Sequence, residues 1–134
     1  MILVDAGPLV AIMDGDDEHH AKCTATIQNA RGPLTTVWPA LTEAMYLLGD
    51  QPEAQEKLLE MVEAGPLKLL PLEVNDLPRI RELMRQYQDL PMDFADAALI
   101  RVAEREGVRT IFTLDRRDFS VYRLHGRTRP TLIP

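Results

Sequence analysis

The chain has 134 residues, of which 46% are hydrophobic and 27% are charged, with a formal net charge of −6. These values are ordinary for a globular domain and exclude a disordered chain, and the acidic balance disfavours a broadly basic surface for nucleic acid. The lone cysteine, Cys23, excludes an internal disulfide, and without paired Cys or His spacing a zinc site is not expected, so a reducing cytoplasm fits. No stretch approaches the ~18 apolar residues of a membrane span, and we expect no membrane partner.

Short apolar runs alternate with helical patterns along the whole chain. The continuous branched run at 2–4 is typical of a strand buried on both faces of a parallel sheet. Pro8 predicts the start of a helix, Asn75 predicts a helix cap, and Gly107 predicts a helix stop. In chain order we predict a strand at 2–4, helices at 9–13 and 19–30, a strand at 34–37, helices at 38–48 and 53–64, a strand at 67–72, helices at 75–87 and 93–106, a strand at 110–114 and a short last strand near 131–133.

This alternation predicts an α/β fold of three layers, α/β/α, with a central, mainly parallel sheet of four to five strands. No linker, repeat or low-complexity stretch divides the chain, so residues 1–134 are expected to form a single domain. In open sheets of this kind the functional site lies beyond the carboxyl ends of the strands, where the strand order reverses.

Acidic residues occur at the positions that this architecture brings to one rim. Asp5 and Asp115 each follow a buried strand directly, and Glu43 lies in the first turns of a helix that follows another strand. Asp93 and Asp96 are three residues apart at the start of a helix, so they share one of its faces. All five side chains can therefore reach the same edge of the sheet.

Structural roles compete with functional ones at these acids. Aspartate is a favoured N-cap that complements the helix dipole, which suffices to explain Asp93. Capping does not explain Asp96, which lies inside the helix among apolar residues, where an uncompensated charge is costly. Glu43 shares a helical stripe with Ala40 and Leu47, and its position alone favours a salt bridge at the exposed edge.

A cluster of four or five carboxylates in a partly dry cleft needs a cation, because like charges at short range raise one another's pKa values. Oxygen ligands without cysteine or histidine favour Mg²⁺ or Mn²⁺, and such ions support phosphodiester hydrolysis. Residues 1–64 hold eleven acids and three bases, a balance of −8, whereas residues 65–134 hold ten acids and twelve bases, a balance of +2. Arg116 and Arg117 in the second half are therefore candidates for contact with phosphates.

Four short motifs contain these acids. They are Asp5-Ala6-Gly7-Pro8-Leu9-Val10 after the leading strand, Leu41-Thr42-Glu43-Ala44, Asp93-Phe94-Ala95-Asp96-Ala97, and Thr113-Leu114-Asp115-Arg116-Arg117-Asp118-Phe119. Each motif is weak alone, but the ordered set covers nearly the whole chain and resembles the PIN domain family. The class that it resembles most is the VapC-like toxin ribonucleases of prokaryotic toxin–antitoxin pairs.

The resemblance implies a metal-dependent endoribonuclease that hydrolyses RNA phosphodiester bonds with Mg²⁺ or Mn²⁺, often as a homodimer, and that a partner antitoxin silences. Thr113 takes the place of a small hydroxyl residue that lines the site. Asp118 is a secondary candidate, either at the site or as a structural partner of Arg116 or Arg117, and those two arginines are the RNA-binding candidates. The implied catalytic residues are Asp5, Glu43, Asp96 and Asp115, and the implied metal ligands are Asp5, Asp93, Asp96 and Asp115.

The residues leave two other functions to compare with this one. A non-catalytic PIN-like module would bind RNA or an antitoxin without cutting RNA. A phosphoryl-transfer protein with Asp5 as nucleophile is disfavoured, because Gly7 stands where a haloacid-dehalogenase-like phosphatase has a second aspartate, and no lysine follows Lys68 as a receiver domain requires. Trp38 and Tyr46 are interpreted as core or dimer contacts rather than as platforms for stacked bases.

Overall fold

A computed structural model describes all residues from 1 to 134. Its five strands form one sheet in which every neighbouring pair is parallel, in the order β3-β2-β1-β4-β5. The strands are β1 (Ile2–Val4), β2 (Leu34–Thr36), β3 (Leu67–Leu69), β4 (Thr110–Phe112) and β5 (Thr131–Ile133). The helices are α1 (Ala6–Met13), α2 (His20–Asn29), α3 (Trp38–Leu47), α4 (Pro52–Glu63), α5 (Leu77–Gln86), α6 (Phe94–Glu106) and α7 (Arg116–Phe119).

The sheet separates two apolar cores, one on each face. Successive side chains of β1 alternate between them, since Leu3 packs into the core under α5 and α6, whereas Ile2 and Val4 pack into the core under α1 and α4. All three side chains are buried, as the branched run at the start of the chain predicts. The predicted three-layer α/β/α fold with a parallel central sheet is therefore confirmed.

The register of the sheet brings together the residues that follow β1 and β4. Val4 lies opposite Phe112, and the backbone N–H of Asp5 donates to the carbonyl of Phe112 over 2.9 Å. From β1 the chain order runs to β2 and β3 on one side and to β4 and β5 on the other, so the order reverses here. This is the edge at which open α/β sheets hold their sites.

Several element boundaries differ from those predicted. Helix α1 begins at Ala6 rather than at Pro8, because the Asp5 side chain caps it. The predicted cap at Asn75 is wrong, because 74–76 form a 3-10 turn whose N-cap is Glu73. The side chains of Glu73 and Asp76 each accept a hydrogen bond from the backbone N–H of the other residue. Strands β2, β3 and β4 are shorter than predicted, and α7 was not predicted. None of the helices is both long and apolar enough to cross a membrane.

Buried ion pairs fix α6, the helix that presents Asp96. Asp76 accepts hydrogen bonds from Arg101 at 2.8 Å and from Arg105 at 2.7 Å. Burial opposes ionisation of Asp76, but the Glu73 backbone N–H and the two arginines together hold its pKa below the usual value. The α6 helix is thereby tied to the start of α5 along the half that is remote from Asp96.

Candidate active site

A cleft of about 500 Å³ opens at the carboxyl ends of β1 and β4. It is lined by five of the predicted acids and by one secondary candidate, and no lysine, arginine or histidine lines it. The six acids are Asp5, Glu43, Asp93, Asp96, Asp115 and Asp118. The chain thus gathers acids from four separate segments around one space.

Asp5 is the most deeply placed of these acids, at 8% exposed. Its Oδ1 accepts from the Ala6 N–H over 2.8 Å and so caps α1. Its Oδ2 accepts from the hydroxyl of the fully buried Thr113 over 2.8 Å, and that hydroxyl accepts in turn from the Asp115 N–H over 3.0 Å. Burial raises the pKa of Asp5 and the negative charges of Asp93 and Asp115 add to that rise, although the two hydrogen bonds oppose it.

Asp93 and Asp96 occupy the start of α6 as the sequence predicts. Asp93 caps the helix, since its Oδ1 accepts from the Asp96 N–H over 2.8 Å. The half-buried Asp96 carboxylate accepts from the Tyr122 hydroxyl, with 2.9 Å between Oδ2 and the phenol oxygen. Burial first, and then the charges of Asp5 and Asp93, raise the pKa of Asp96 to about 8. Asp96 therefore carries a cost when ionised that no cation of the chain offsets.

The α7 helix supplies the remaining two aspartates. Asp115 caps it, because its Oδ1 accepts from the Asp118 N–H over 3.2 Å. One carboxylate oxygen from each of Asp96, Asp115 and Asp118 lies within 4.8 Å of the others. Asp118 forms no ion pair with either neighbouring arginine, and burial, followed by the charge of Asp115, raises its pKa.

Glu43 reaches the cleft from α3. It forms no ion pair, so the salt bridge that its position in the helix favours is absent. Burial, and then the negative charges of Asp5 and Asp93, raise its pKa. Glu43 thus belongs electrostatically to the same acidic cluster, although it lies outside the group of three converging carboxylates.

The two arginines beside Asp115 are both exposed but are held differently. Arg116 donates from Nη1 to the carbonyl of Pro134 over 2.7 Å, which joins α7 to the end of β5. The Arg117 guanidinium makes no hydrogen bond or ion pair within the chain. A contact of either arginine with RNA stays a prediction, and Arg117 is the one whose donors are all available.

The donor set fits a hard divalent cation. Every candidate ligand is a carboxylate oxygen, which suits Mg²⁺ or Mn²⁺ rather than zinc. Burial first, and then repulsion among the carboxylates, raise the pKa values of Asp5, Glu43, Asp96 and Asp118, and a bound divalent cation would offset the cost of their ionisation.

An apolar groove of about 720 Å³ adjoins the acidic cleft and shares Glu43 and Asp93 with it. Trp38 is 58% exposed, Tyr46 is 83% exposed, and both line this groove beside Phe94. The interpretation of Trp38 and Tyr46 as core residues is therefore wrong. Contact with a partner is the alternative that the exposure allows.

Comparison with protein families decides the relationship of the chain. The family model described as PIN domain matches residues 2–124. The chain belongs to the PIN domain family. It is also 30% identical, over an alignment 135 positions long, to Ribonuclease VapC26 of Mycobacterium tuberculosis (strain ATCC 25618 / H37Rv), and the alignment covers 99% of this chain and 100% of that one. The resemblance to VapC-like PIN domains drawn from the four motifs is confirmed.

Solved structures show the same PIN fold. Mycobacterium tuberculosis VapC20, described as a sarcin-ricin loop cleaving toxin, superposes with a TM-score of 0.81 at 15% identity, covering 87% of this chain and 92% of VapC20. DNA-bound VapBC from Salmonella typhimurium gives a TM-score of 0.63 at 16% identity, covering 98% of this chain and 96% of the matched chain. At these identities the likeness concerns the fold of the PIN domain.

Proposed function

We propose that this PIN domain, residues 1–134, is a metal-dependent endoribonuclease and the toxin of a toxin–antitoxin pair. The observation that carries the proposal is the six-acid cleft without a basic side chain, at the carboxyl ends of β1 and β4. Such a cleft repels RNA phosphates unless a cation mediates the contact. The relationship to Ribonuclease VapC26 supports RNA as the substrate, and the VapBC structure supports an antitoxin partner. The single cysteine, Cys23, is free, which suits the cytoplasm that we propose as the site of action.

The chain would hold Mg²⁺ or Mn²⁺ through the cluster of aspartates. A bound ion would supply Lewis acidity to neutralise charge on the phosphate and to promote attack by water. Asp96 and Asp115 would be its principal ligands, and Asp118 would join them because its carboxylate converges with theirs. Asp5 and Asp93 line the same cleft and add to its negative charge.

The other residues of the cleft act on the substrate and on the ligands. Glu43 lines the cleft from α3, outside the group of converging carboxylates, and would accept the proton of the attacking water. The water oxygen bonds to phosphorus, the ester bond between phosphorus and the leaving nucleotide oxygen breaks, and that departing oxygen takes a proton from solvent. The Thr113 hydroxyl donates to the Asp5 carboxylate and accepts from the Asp115 N–H, and it thereby fixes the position of Asp5 relative to Asp115. Arg117, with its donors available, contacts a flanking phosphate.

The test compares the wild-type protein with Asp96→Asn on a panel of labelled RNAs that includes transfer RNAs and ribosomal RNA fragments. Each reaction is run with Mg²⁺, Mn²⁺ or a chelator. The matched control is Asp50→Asn, which removes an exposed acid that lies outside the cleft. We expect metal-dependent cleavage by the wild type and by Asp50→Asn, and its loss in Asp96→Asn.

Cleavage that survives in Asp96→Asn or in chelator contradicts the proposal. Metal binding without cleavage of any RNA in the panel would instead support a non-catalytic PIN-like module that binds RNA or an antitoxin. A contaminating nuclease cannot mimic the expected result, because its cleavage of RNA would be equal in the wild-type and Asp96→Asn preparations.

Exposed apolar side chains next to the cleft indicate a surface for a second copy of the chain. We propose that Trp38, Tyr46 and Phe94 contact a second copy of the chain in a homodimer, because large apolar side chains at this exposure favour burial by a partner. Light scattering after gel filtration tests this: the wild type is expected to be a dimer, and Tyr46→Asp a monomer with unchanged circular dichroism. A dimeric Tyr46→Asp protein would place the contact elsewhere.

A further inference from the structure

Tyr122 lies outside all four sequence motifs but touches the cluster of acids directly. Its hydroxyl donates to Asp96 Oδ2 over 2.9 Å, and this is the only hydrogen bond that the Asp96 carboxylate accepts. We propose that Tyr122 is a positioning residue that fixes the Asp96 carboxylate for binding of the divalent cation. The inference rests on the metal-dependent function proposed above.

Asp96 needs such a donor because its neighbours repel it. Burial first, and then the charges of Asp5 and Asp93, raise the cost of ionising Asp96, and no arginine, lysine or histidine pairs with it. Its carboxylate nevertheless converges with those of Asp115 and Asp118, and the Tyr122 hydroxyl supplies the one hydrogen bond that holds it there.

The phenol ring is itself held rigidly. Tyr122 is fully buried, and its ring packs edge-to-face against Phe119, with 5.0 Å between ring centroids, and against Tyr87, at 5.1 Å. Its backbone N–H donates to the carbonyl of Asp118 over 3.3 Å. The hydroxyl is therefore a fixed donor.

Tyr122 joins two sides of the site that come from different parts of the chain. Asp115 caps α7 and Asp118 lies within that helix, shortly before Tyr122 in the chain. Asp96, in contrast, lies in α6. The hydroxyl occupies Oδ2 and leaves Oδ1 without a donor from the chain, so that oxygen is available to a cation. A neutral donor suits this place, because an arginine or lysine would neutralise the carboxylate and compete with the cation.

The experiment measures Mn²⁺ binding without RNA, for wild type, Tyr122→Phe and Tyr87→Phe, by the electron paramagnetic resonance signal of free Mn²⁺. Tyr122→Phe keeps the ring and removes the hydroxyl. Tyr87→Phe is the matched control, since its ring packs in the same cluster but its hydroxyl accepts from the Arg123 N–H at 3.1 Å and touches no acid. We expect Tyr122→Phe to bind Mn²⁺ about 10- to 100-fold more weakly, the usual cost of losing a group that orients a metal ligand. We expect Tyr87→Phe to bind Mn²⁺ as the wild type does.

Thermal unfolding in chelator separates positioning from a general structural role. A Tyr122→Phe protein with weakened Mn²⁺ binding and a melting temperature close to that of Tyr87→Phe supports the proposal. Equal Mn²⁺ affinity in wild type and Tyr122→Phe overturns it, and so does equal weakening in both variants, which would assign the effect to ring packing. Failure of the wild type to cleave RNA contradicts the ribonuclease function but leaves this comparison of affinities intact, so the two failures are distinguishable.

Discussion

Asp96→Asn is expected to stabilise the metal-free protein while it abolishes cleavage. The pKa of Asp96 is raised from 3.8 to about 8 in the folded protein, mainly by burial and then by neighbouring charges. Between these two values the folded state binds more protons than the unfolded chain, so stability falls as pH rises. Asparagine removes this titration and still offers an oxygen to the Tyr122 hydroxyl.

The magnitude follows from the pH at which unfolding is measured. Each pH unit between 3.8 and 7 costs about 1.4 kcal/mol, which gives an upper bound of about 4 kcal/mol at pH 7. Because Asp96 is only half-buried, solvent screening reduces this value, and we expect Asp96→Asn to gain about 2 kcal/mol. For a chain of this length that gain corresponds to a rise of roughly 5–10 °C in melting temperature.

The assay is urea unfolding at pH 5, 7 and 8.5, in chelator and again in excess Mg²⁺. In chelator the advantage of Asp96→Asn should grow with pH, whereas Asp50→Asn should match the wild type throughout. At a Mg²⁺ concentration about 100 times its dissociation constant, binding stabilises the wild type by about 2.7 kcal/mol, so the order of stability should reverse. A variant that is no more stable than wild type in chelator at pH 8.5, or an advantage that does not change with pH, would refute the electrostatic account of the cleft.

Three further substitutions test the supports of the site. Thr113→Val should lower the cleavage rate at least about tenfold and cost about 1–3 kcal/mol of stability, because the Asp5 carboxylate loses its buried donor. A cleavage rate equal to that of the wild type in single-turnover assays would contradict this expectation. Asp76→Ala should cost about 3 kcal/mol in urea unfolding at pH 7, since Arg101 loses its carboxylate partner and Arg105 keeps only the carbonyl of Pro71 and a longer contact with Glu106. The cost should shrink as acid protonates Asp76 in the wild type, whose pKa is lowered. Gly107→Ala should cost about 1 kcal/mol without changing cleavage, because this helix-ending residue has φ +68°, and an unchanged melting temperature would refute the strain.

Much of the fold could be predicted from regular patterns in the sequence. An aspartate directly after a buried strand, as at Asp5 and Asp115, marks the edge of a parallel sheet, and the three-residue spacing of Asp93 and Asp96 fixes a shared helix face. These rules suffice to predict that the acids lie on one rim of the sheet. They do not say whether Glu43 is paired, since that depends on which elements pack beside α3.

The features that escaped prediction depend on contacts between distant residues or on very short elements. Tyr122 meets Asp96 across 26 residues, and a single tyrosine in an irregular segment has no periodicity to reveal it. The α7 helix has four residues, too few for an amphipathic pattern. Trp38 and Tyr46 lie in an apolar stretch, and apolarity alone does not separate a core residue from one that a partner covers.

Three of the cleft acids begin helices, since Asp5, Asp93 and Asp115 cap α1, α6 and α7. Asparagine at such a position still caps the helix but no longer offers the charge that a cation needs. In evolutionary terms, the chain is a few conservative substitutions away from an inert protein with the same fold and the same surface. Under the proposed toxin–antitoxin function, such a descendant would still bind the antitoxin and would thereby leave active toxin unbound.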